Sequence, residues 1–127
     1  MGADLVLVGG FGTTDAQRFG SSQYAKKILG KLWGLPPALD MDYEKRVHEA
    51  MREIAGAHLA ESAHDLSDGG LAVALAESST AAVGAKVTVA GGLRPEFALF
   101  GEAPSRILVS TRNAEQILAI LSCHGVK

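Results

Sequence analysis

A cluster of polar and reactive side chains stands directly before an apolar run in the middle of the chain. Residues 62–70 read SAHDLSDGG and contain Asp65, Ser67 and Asp68, and the sequence LAVALAESS follows. The first amides of a helix lack partners within the helix, and its dipole adds partial positive charge there, so a phosphate oxygen can bind. Mg²⁺ takes a few carboxylates and completes its shell with phosphates and water. The stretch therefore predicts a magnesium–phosphate site, with Asp65 facing the metal and Ser67 facing the phosphate.

Two glycines at the start of this expected helix admit a second interpretation. Gly69 and Gly70 remove side chains that would block a phosphate, but a Gly-Gly pair alone is a weak signal for a ligand. Either Ser67 or Asp68 also suits the N-cap position of a helix, and the glycines then form a tight turn. The residues alone leave the phosphate site and the simple helix cap as alternatives.

Other reactive side chains are scattered along the sequence. The GGFG run at residues 9–12 has neither the glycine spacing of a dinucleotide site nor the Lys-Ser/Thr of a Walker loop. His48, His58 and His124 fall on expected helices, and we expect them at the surface or in packing contacts. Cys123 lacks an activating neighbour in sequence and is expected to pack.

The composition is that of a globular protein. The chain has 127 residues, of which 47% are hydrophobic and 20% charged, enough for one domain with one core. The net charge of -2 leaves no basic excess to neutralise phosphates, so a general nucleic-acid binder is not expected. The sequence shows no apolar run near the ~20 residues that span a bilayer and no signal-peptide pattern, and its single cysteine suits a reducing compartment. We therefore expect a cytoplasmic protein that does not contact membranes.

Hydrophobic periodicity predicts a series of strands and helices. In chain order these are a strand over residues 5–8, helices over 22–32 and 43–59, a short extended stretch over 62–68, a helix over 71–81, strands over 85–89 and 106–110, and a last helix capped by Asn113. A short apolar piece covers residues 97–100. The first helix is expected to carry Ile28, Leu29 and Leu32 on its apolar face. This order predicts an α+β fold in which helices cover a mixed sheet.

Both ends of the sequence suggest part of a longer protein. A strand pattern begins almost at once, and residues 125–127 follow the last helix where another strand is expected. We therefore expect residues 1–127 to be a single domain excised from a longer chain and lacking its last strands. A sheet face or edge that its neighbours normally cover is then expected to make the fragment self-associate.

Four segments of the chain carry a resemblance to one family. The segment SAHDLSDGGLAVALAES (62–78) resembles the signature of the C-terminal domain of the phosphoribosylformylglycinamidine synthase family. The segments GGFGTTDAQRFGSSQYAKKI (9–28), GLPPALDMDYEKRV (34–47) and LFGEAPSRILVS (99–110) agree with it in the same order. The Pro-Pro segment is similar to this family rather than to its relatives in the aminoimidazole ribonucleotide synthetase superfamily.

The resemblance implies a fold, an activity and partners. Family members catalyse the ATP-dependent amidation of formylglycinamide ribonucleotide with ammonia from glutamine, a carbon–nitrogen ligase reaction of purine biosynthesis. The family's C-terminal domain is a three-layer α/β/α fold, and nucleotide sites lie between N-type and C-type domains. This chain would supply one wall of such a site, so we expect it to hold no catalytic residue and to be inactive alone. Expected partners are the other domains of the synthase, a glutaminase subunit or domain, and a small accessory subunit.

The resemblance also assigns roles to the polar cluster. Asp65 matches a Mg²⁺-binding Asp of the large synthases, and Ser67 matches a neighbouring nucleotide-binding Ser. The implied cofactors are Mg²⁺ and ATP or ADP. The implied nucleotide-binding residues are Ser67, Asp68, Gly69 and Gly70. In the large synthases this pocket is an auxiliary site for ADP, and the resemblance leaves open whether it is functional or vestigial here.

One segment departs from the family pattern. The family often reads Phe-Gly-Glu-Ser-Gln-Ser-Arg where residues 100–106 read FGEAPSR. The change removes a hydroxyl and an amide, and Pro104 removes a backbone donor, which favours a structural role for the domain. Arg106 is left with two candidate partners, Glu102 or a phosphate. The alternatives to a ligand-binding ligase domain are a structural or interaction domain without a ligand, and a domain of a related ATP-using synthetase.

Overall fold

The computed structural model describes residues 2–10, 15–79, 82–89 and 91–127. Its elements are, in chain order, β1 (Asp4–Val8), α1 (Ala16–Phe19), α2 (Gln23–Lys27), α3 (Met41–Gly56), β2 (Ser62–Asp65), α4 (Gly70–Ser78), α5 (Pro95–Phe100), β3 (Ile107–Thr111) and α6 (Ala114–Cys123). They divide into two compact units, which are called the first unit (Met1–Gly10, Leu39–Asp65 and Ser105–Lys127) and the second unit (Phe11–Ala38 and Leu66–Pro104). Within the described ranges, no helix has the length and apolar character needed to cross a bilayer.

The first unit is built on a three-stranded antiparallel sheet. β3 lies in the middle, so that Val109 is opposite Val6 of β1 on one side and opposite Ala63 of β2 on the other. β1 buries Val6 and Val8 and leaves the residue between them more exposed, which is the period-two pattern of a strand with one core-facing side. The predicted α+β class is confirmed. The described sheet is antiparallel throughout, so the prediction of a mixed sheet was wrong for these strands, and the three-layer arrangement stays a prediction.

Helices α3 and α6 supply the rest of the core of the first unit. α3 starts where the Asp40 carboxylate accepts a hydrogen bond from the Tyr43 amide at 3.0 Å, which satisfies one of the free amides of the first turn. Val47, Ala50 and Ile54 then recur at helical spacing and are buried. The buried core consists of Val6, Val8, Val47, Ala50, Ile54, Val109, Ile117, Leu121 and Val126.

A cluster of aromatic rings stabilises the second unit. The ring centroids of Phe19 and Phe97 are 4.8 Å apart, and those of Tyr24 and Phe100 are also 4.8 Å apart. Tilted rings at this separation attract one another and bury a large apolar area. α4 packs against α5 and buries Leu71. This cluster therefore joins α1, α2 and α5.

The helix predicted over residues 22–32 is shorter than expected. α2 ends at Lys27, and Ile28, Leu29 and Leu32 are 66%, 48% and 58% exposed. Gly30 adopts a left-handed φ of 71°, which a continuing right-handed helix does not contain. The apolar residues after α2 therefore form no helical face.

The predictions for four other elements had different outcomes. The strand predicted over residues 85–89 pairs with no strand in the described chain, so that prediction was wrong for the described sheet. The apolar piece over residues 97–100 belongs to helix α5, which has Pro95 in its first turn, where the missing amide costs nothing. The last helix starts after Asn113, as predicted, although the Asn113 side chain makes no capping bond, and Gly125 follows the helix at φ 65°. The predicted end of the helix over 71–81 lies outside the described residues.

Candidate functional site

A glycine occupies the N-cap of α4, the helix that follows the polar cluster of residues 62–70. Gly69 is the N-cap of α4, with φ 85°, and has no side chain with which to cap the helix. Ser67 contributes its backbone carbonyl, which accepts a hydrogen bond from the Gly70 amide at 3.1 Å. The prediction that the side chain of Ser67 or Asp68 caps α4 is therefore wrong, because the left-handed turn at Gly69 takes that position.

A carboxylate from a distant loop lies at this helix start. Oε1 of Glu102 accepts a hydrogen bond from the Gly69 amide at 2.7 Å and a second from the Gln23 amide, the first residue of α2, at 2.8 Å. Such short distances are typical of an N–H group that donates to a charged carboxylate. The starts of α2 and α4 thus converge on one oxygen atom, where free amides and helix dipoles favour negative charge.

Two further contacts belong to the same cluster. Oδ2 of Asp68 accepts a hydrogen bond from the Gln23 side chain at 3.4 Å, which is a long and exposed bond. Ser22 is buried, and its hydroxyl oxygen accepts a hydrogen bond from the Ala25 amide at 3.2 Å as the N-cap of α2. The sequence predicts that the start of α4 attracts a negatively charged group. In this structure the Glu102 carboxylate of the same chain lies there.

Packing inside the second unit requires both glycines. Gly70 adopts φ 65°, and a Cβ there would lie 2.6 Å from the Gly101 carbonyl oxygen and 3.0 Å from the Phe100 carbonyl carbon. A Cβ on Gly69 would overlap the side chain of Val73. These close approaches explain the glycine pair without a ligand, which supports the tight turn of the second interpretation but not its side-chain cap.

The expected metal ligand lies at the end of β2, in the first unit. Asp65 is exposed and is opposite Ile107 in the sheet, and its carbonyl oxygen lies 2.6 Å from Nδ1 of His64. Ser67 is exposed in the second unit. Among the described residues, no group of three His, Cys, Asp or Glu side chains is placed to hold a metal ion. The exposed Asp65 carboxylate is an oxygen donor of the kind that Mg²⁺ takes, and among the described residues it belongs to no metal centre made of protein side chains.

A second polar cluster surrounds the glycines that follow β1. Nε of Arg106 donates a hydrogen bond to the Gly10 carbonyl at 3.0 Å, and burial lowers the pKa of this guanidinium to about 10. Ser105, at a left-handed φ of 62°, donates its hydroxyl to Glu44. A Cβ on Gly9 would overlap the Ser105 carbonyl oxygen. Close backbone packing thus explains the first glycine of the GGFG run, and the second half of that run lies outside the described residues.

The remaining candidates have surface contacts. Nε2 of His48 lies 2.8 Å from Glu44, and Nε2 of His124 lies 2.7 Å from Glu53. Cys123 is exposed, so the prediction that it packs was wrong. In the part of the chain that the structure describes, none of them belongs to a group of candidate metal ligands.

One family model matches nearly the whole chain. Residues 2–127 match the family described as AIR synthase related protein, C-terminal domain. The chain belongs to this family.

Relatives of this AIR synthase related domain are much longer proteins. The chain is 46% identical over 111 residues to the phosphoribosylformylglycinamidine synthase subunit PurL of Moorella thermoacetica, which covers 85% of the chain and 15% of that protein. The structure of T. maritima PurL complexed with FGAR is similar to this chain with a TM-score of 0.73 and 25% identity. The match covers 98% of this chain and 22% of the PurL chain. The structure of T. maritima PurL complexed with ATP has a TM-score of 0.67 and 24% identity. That match covers 99% of this chain and 20% of the PurL chain. The chain thus spans about 15% of the length of the first of these relatives.

Sequence reasoning located the helix start of this AIR synthase related domain but missed its anion. Glu102 is 33 residues away from Gly69 and 79 residues away from Gln23. The Ser105–Glu44 bond joins residues 61 positions apart. No local pattern connects such distant positions, and the one available signal was a carboxylate in the Phe-Gly-Glu segment. From the sequence, Glu102 is predicted only as a candidate partner of Arg106.

The Glu102 carboxylate is expected to matter for stability. Glu102→Ala should lower the free energy of unfolding by about 1–3 kcal/mol, because it leaves two amides without their acceptor. Asp68→Ala is the matched control, since that carboxylate makes a long, exposed bond, and its cost should stay below about 0.5 kcal/mol. Urea unfolding followed by the fluorescence of Trp33, the single tryptophan, which lies in the second unit, measures both variants. If Glu102→Ala and Asp68→Ala lowered the free energy of unfolding equally, the stabilising role of Glu102 would be contradicted.

Proposed function

We propose that this chain is a C-terminal-type domain of a phosphoribosylformylglycinamidine synthase, and that the longer protein uses ATP to amidate formylglycinamide ribonucleotide. The observation that carries the proposal is the 46% identity over 111 residues to a PurL subunit of that synthase. The match to PurL structures complexed with FGAR and with ATP supports it. In this proposal residues 1–127 are one domain of the longer protein, and the isolated domain is inactive.

The proposed reaction has two chemical steps. The amide oxygen of the substrate attacks the γ-phosphorus of ATP, which releases ADP and leaves a phosphorylated imidate. Ammonia from glutamine then adds to the imidate carbon, inorganic phosphate leaves, and the amidine remains. Both steps develop negative charge on phosphoryl oxygens, which backbone amides and Mg²⁺ stabilise. The domain contributes binding surface, and none of its residues is assigned to bond making or breaking.

We assign a magnesium–nucleotide surface to the turn before α4. Asp65 is the proposed ligand of Mg²⁺, and its exposure leaves its carboxylate accessible. The proposed contacts to ATP or ADP are Ser67, Asp68, Gly69 and Gly70. Glu102 imposes a condition on this site, because its charge at the Gly69 amide repels a phosphate unless a cation lies between them. Nucleotide binding at this turn is therefore expected to require Mg²⁺.

One observation favours a second function. The Gly69 amide already has a carboxylate acceptor, and the glycine pair is explained by packing. A domain whose helix start is occupied by its own side chain needs no nucleotide in order to fold. In this alternative the domain is a structural wall that packs against other parts of the synthase and holds no ligand.

Calorimetric titration of ADP and ATP into the chain, with and without Mg²⁺, separates the two functions. The first function predicts Mg²⁺-dependent binding that Asp65→Asn weakens by about tenfold or more, because one metal ligand is lost. Asp4→Asn, an exposed aspartate on β1 of the same sheet, is the matched control and should bind like the unmodified chain. Binding that ignores Mg²⁺ or Asp65→Asn contradicts the assigned metal role. Because the chain supplies one wall of the site, a chain that binds no nucleotide is followed by the same titration of the full-length protein, where binding that Asp65→Asn leaves unchanged supports the structural function.

We also propose where the longer protein works and with which partners. A reaction that consumes ammonia needs a source, which a glutaminase subunit or domain supplies, and a small accessory subunit completes the assembly. The matching relative is itself named a subunit, which supports an assembly of several chains. The low net charge gives no reason to expect nucleic acid as a partner, and a cytoplasmic location agrees with the single cysteine.

A further inference from the structure

The loop that follows α2 exposes several large apolar side chains. Residues 28–36, which are called the apolar loop, read ILGKLWGLP. Four aliphatic side chains within eight residues of this loop are exposed, namely Ile28, Leu29, Leu32 and Leu35. A single exposed leucine is ordinary on a protein surface, but a concentration of this kind is typical of a surface that another molecule covers.

Hydrogen bonds within the second unit fix the apolar loop. Every second amide of its central part donates to a backbone carbonyl of α1, of α2 or of the turn between them. These bonds run from Lys31 to Ala25 at 3.2 Å, from Trp33 to Gly20 at 3.1 Å and from Leu35 to Gln17 at 3.0 Å. Gly34 has a left-handed φ of 71°, and a Cβ there would overlap the Gln17 carbonyl oxygen. The exposed side chains are therefore held in place before a partner binds, which reduces the entropy lost on binding.

The apolar loop lies in a positively charged part of the sequence. Residues 16–39 contain Arg18, Lys26, Lys27 and Lys31 and no aspartate or glutamate, whereas the whole chain has 12 basic and 14 acidic residues. The charge of this segment is therefore +4 and that of the remaining chain is -6. The three lysines are exposed, and within the described ranges none of them forms an ion pair. Their ammonium groups are therefore accessible to the carboxylates of another part of the protein.

We propose that the apolar loop is the docking site of an acidic amphipathic segment that belongs to another domain of the longer protein. The apolar side of that segment covers the four exposed aliphatic side chains, and its carboxylates pair with the three lysines. The charge of the surface selects an acidic partner, because a basic one would place like charges opposite each other. This inference rests on the proposed function in one respect, namely that the chain is a domain of a longer protein.

The length of the relatives and the effect of linkage favour a segment of the same molecule. This chain covers 15% of the PurL subunit of Moorella thermoacetica, to which it is 46% identical, so a protein of that size has further domains that can provide the segment. A segment joined to the same chain reaches an effective concentration on the order of 1 mM, which favours it over a partner free in solution.

The side chains of the apolar loop favour a protein segment over an anionic lipid surface. Surfaces that insert into lipid commonly present Trp or Tyr at the interface. Trp33 is the one aromatic residue of the loop, and its indole N–H donates to the Ala16 carbonyl at 3.0 Å. Its ring would overlap a Cβ at Gly20, and Nζ of Lys31 lies 5.7 Å from the ring. The ring therefore packs on its own chain, and the exposed part of the loop is aliphatic and basic.

Carbodiimide coupling of the longer protein tests this docking, because the reagent joins an ammonium group to a carboxylate only when the two are in direct contact. Mass spectrometry of the digest identifies the linked residues. We expect links from Lys26, Lys27 and Lys31 to aspartate or glutamate residues of one segment in another domain. A mixture of isotope-labelled and unlabelled protein distinguishes links within one molecule from links between molecules.

Two leucine substitutions provide a variant and its matched control. Leu32 is 58% exposed and Leu118, on α6 of the first unit, is 55% exposed, so neither substitution removes a core side chain. Leu32→Asn should lower the yield of the three lysine links about threefold or more, because an apolar contact with the docked segment is lost. Leu118→Asn should leave the yield unchanged.

Each outcome of the coupling experiment decides the proposal. Links to another domain of the same molecule that Leu32→Asn reduces and Leu118→Asn does not reduce support it. The absence of such links, links only between separate molecules, or equal effects of the two variants overturn it. Sedimentation of the longer protein with phosphatidylserine vesicles that only Leu32→Asn abolishes assigns the loop to a lipid surface and also overturns it. An active enzyme without the links contradicts this inference alone, and an inactive protein with the links contradicts the proposed function alone.

Discussion

Ile117→Ala is expected to lower the free energy of unfolding by about 2–5 kcal/mol, through lost burial and a residual cavity. Ile117 is 0% exposed and lies in the core that α6 shares with α3 and the sheet. The surrounding side chains come from several elements, so none of them can move far enough to fill the space. The loss should appear as a lower urea midpoint, measured by far-ultraviolet circular dichroism, which reports the helices of both units.

The next residue along the chain provides the control for this prediction. Leu118 is 55% exposed, so Leu118→Ala removes a similar side chain with little change in burial. Its cost should stay within about 0.5 kcal/mol. A loss for Ile117→Ala that is no larger than for Leu118→Ala would show that α6 does not pack as the structure describes.

Gly70→Ala is expected to lower the free energy of unfolding of the second unit by about 2–5 kcal/mol. Two costs add: a left-handed φ of 65° is unfavourable for alanine by about 1–2 kcal/mol, and the new Cβ overlaps fixed backbone atoms of Phe100 and Gly101. The overlap involves carbonyl groups rather than a flexible side chain, so α4 and α5 must separate to relieve it. Trp33 fluorescence during urea unfolding measures this loss.

Gly56→Ala is the matched control, because the same change is made where nothing opposes it. Gly56 is the last residue of α3, and a Cβ there would meet no atom within 4 Å. Alanine is favoured over glycine in a helix, so this variant should be neutral or more stable by up to about 1 kcal/mol. If the alanine at position 70 were tolerated as well as the alanine at position 56, the close packing of α4 against the loop after α5 would be refuted.

Elements whose signals are local were predictable from the sequence. α3 combines an aspartate at its N-cap with a buried stripe at helical spacing, and both features act within the helix itself. β1 and β3 are short apolar runs bounded by polar or glycine residues, and both formed. The α+β class followed from the same kind of local reasoning.

Features that depend on distant parts of the chain were not predictable. The side chains of Ile28, Leu29 and Leu32 have helical spacing, but spacing does not reveal whether a core lies beside them. Residues 85–89 alternate like a strand, yet a strand exists only when another backbone pairs with it. The Glu102 carboxylate at the start of α4 was not predictable for the same reason, since it comes from a loop that no spacing rule connects to that helix.

The oxygen atom that Glu102 shares between Gln23 and Gly69 links the motions of two helices. Rotation of one side chain releases both amides together, so the starts of α2 and α4 open in a single event rather than fraying separately. Any displacement of the loop that carries Glu102 is transmitted to both helices at once. In a longer protein, a neighbouring domain that pressed on this loop would therefore loosen or tighten a large part of the second unit through one atom.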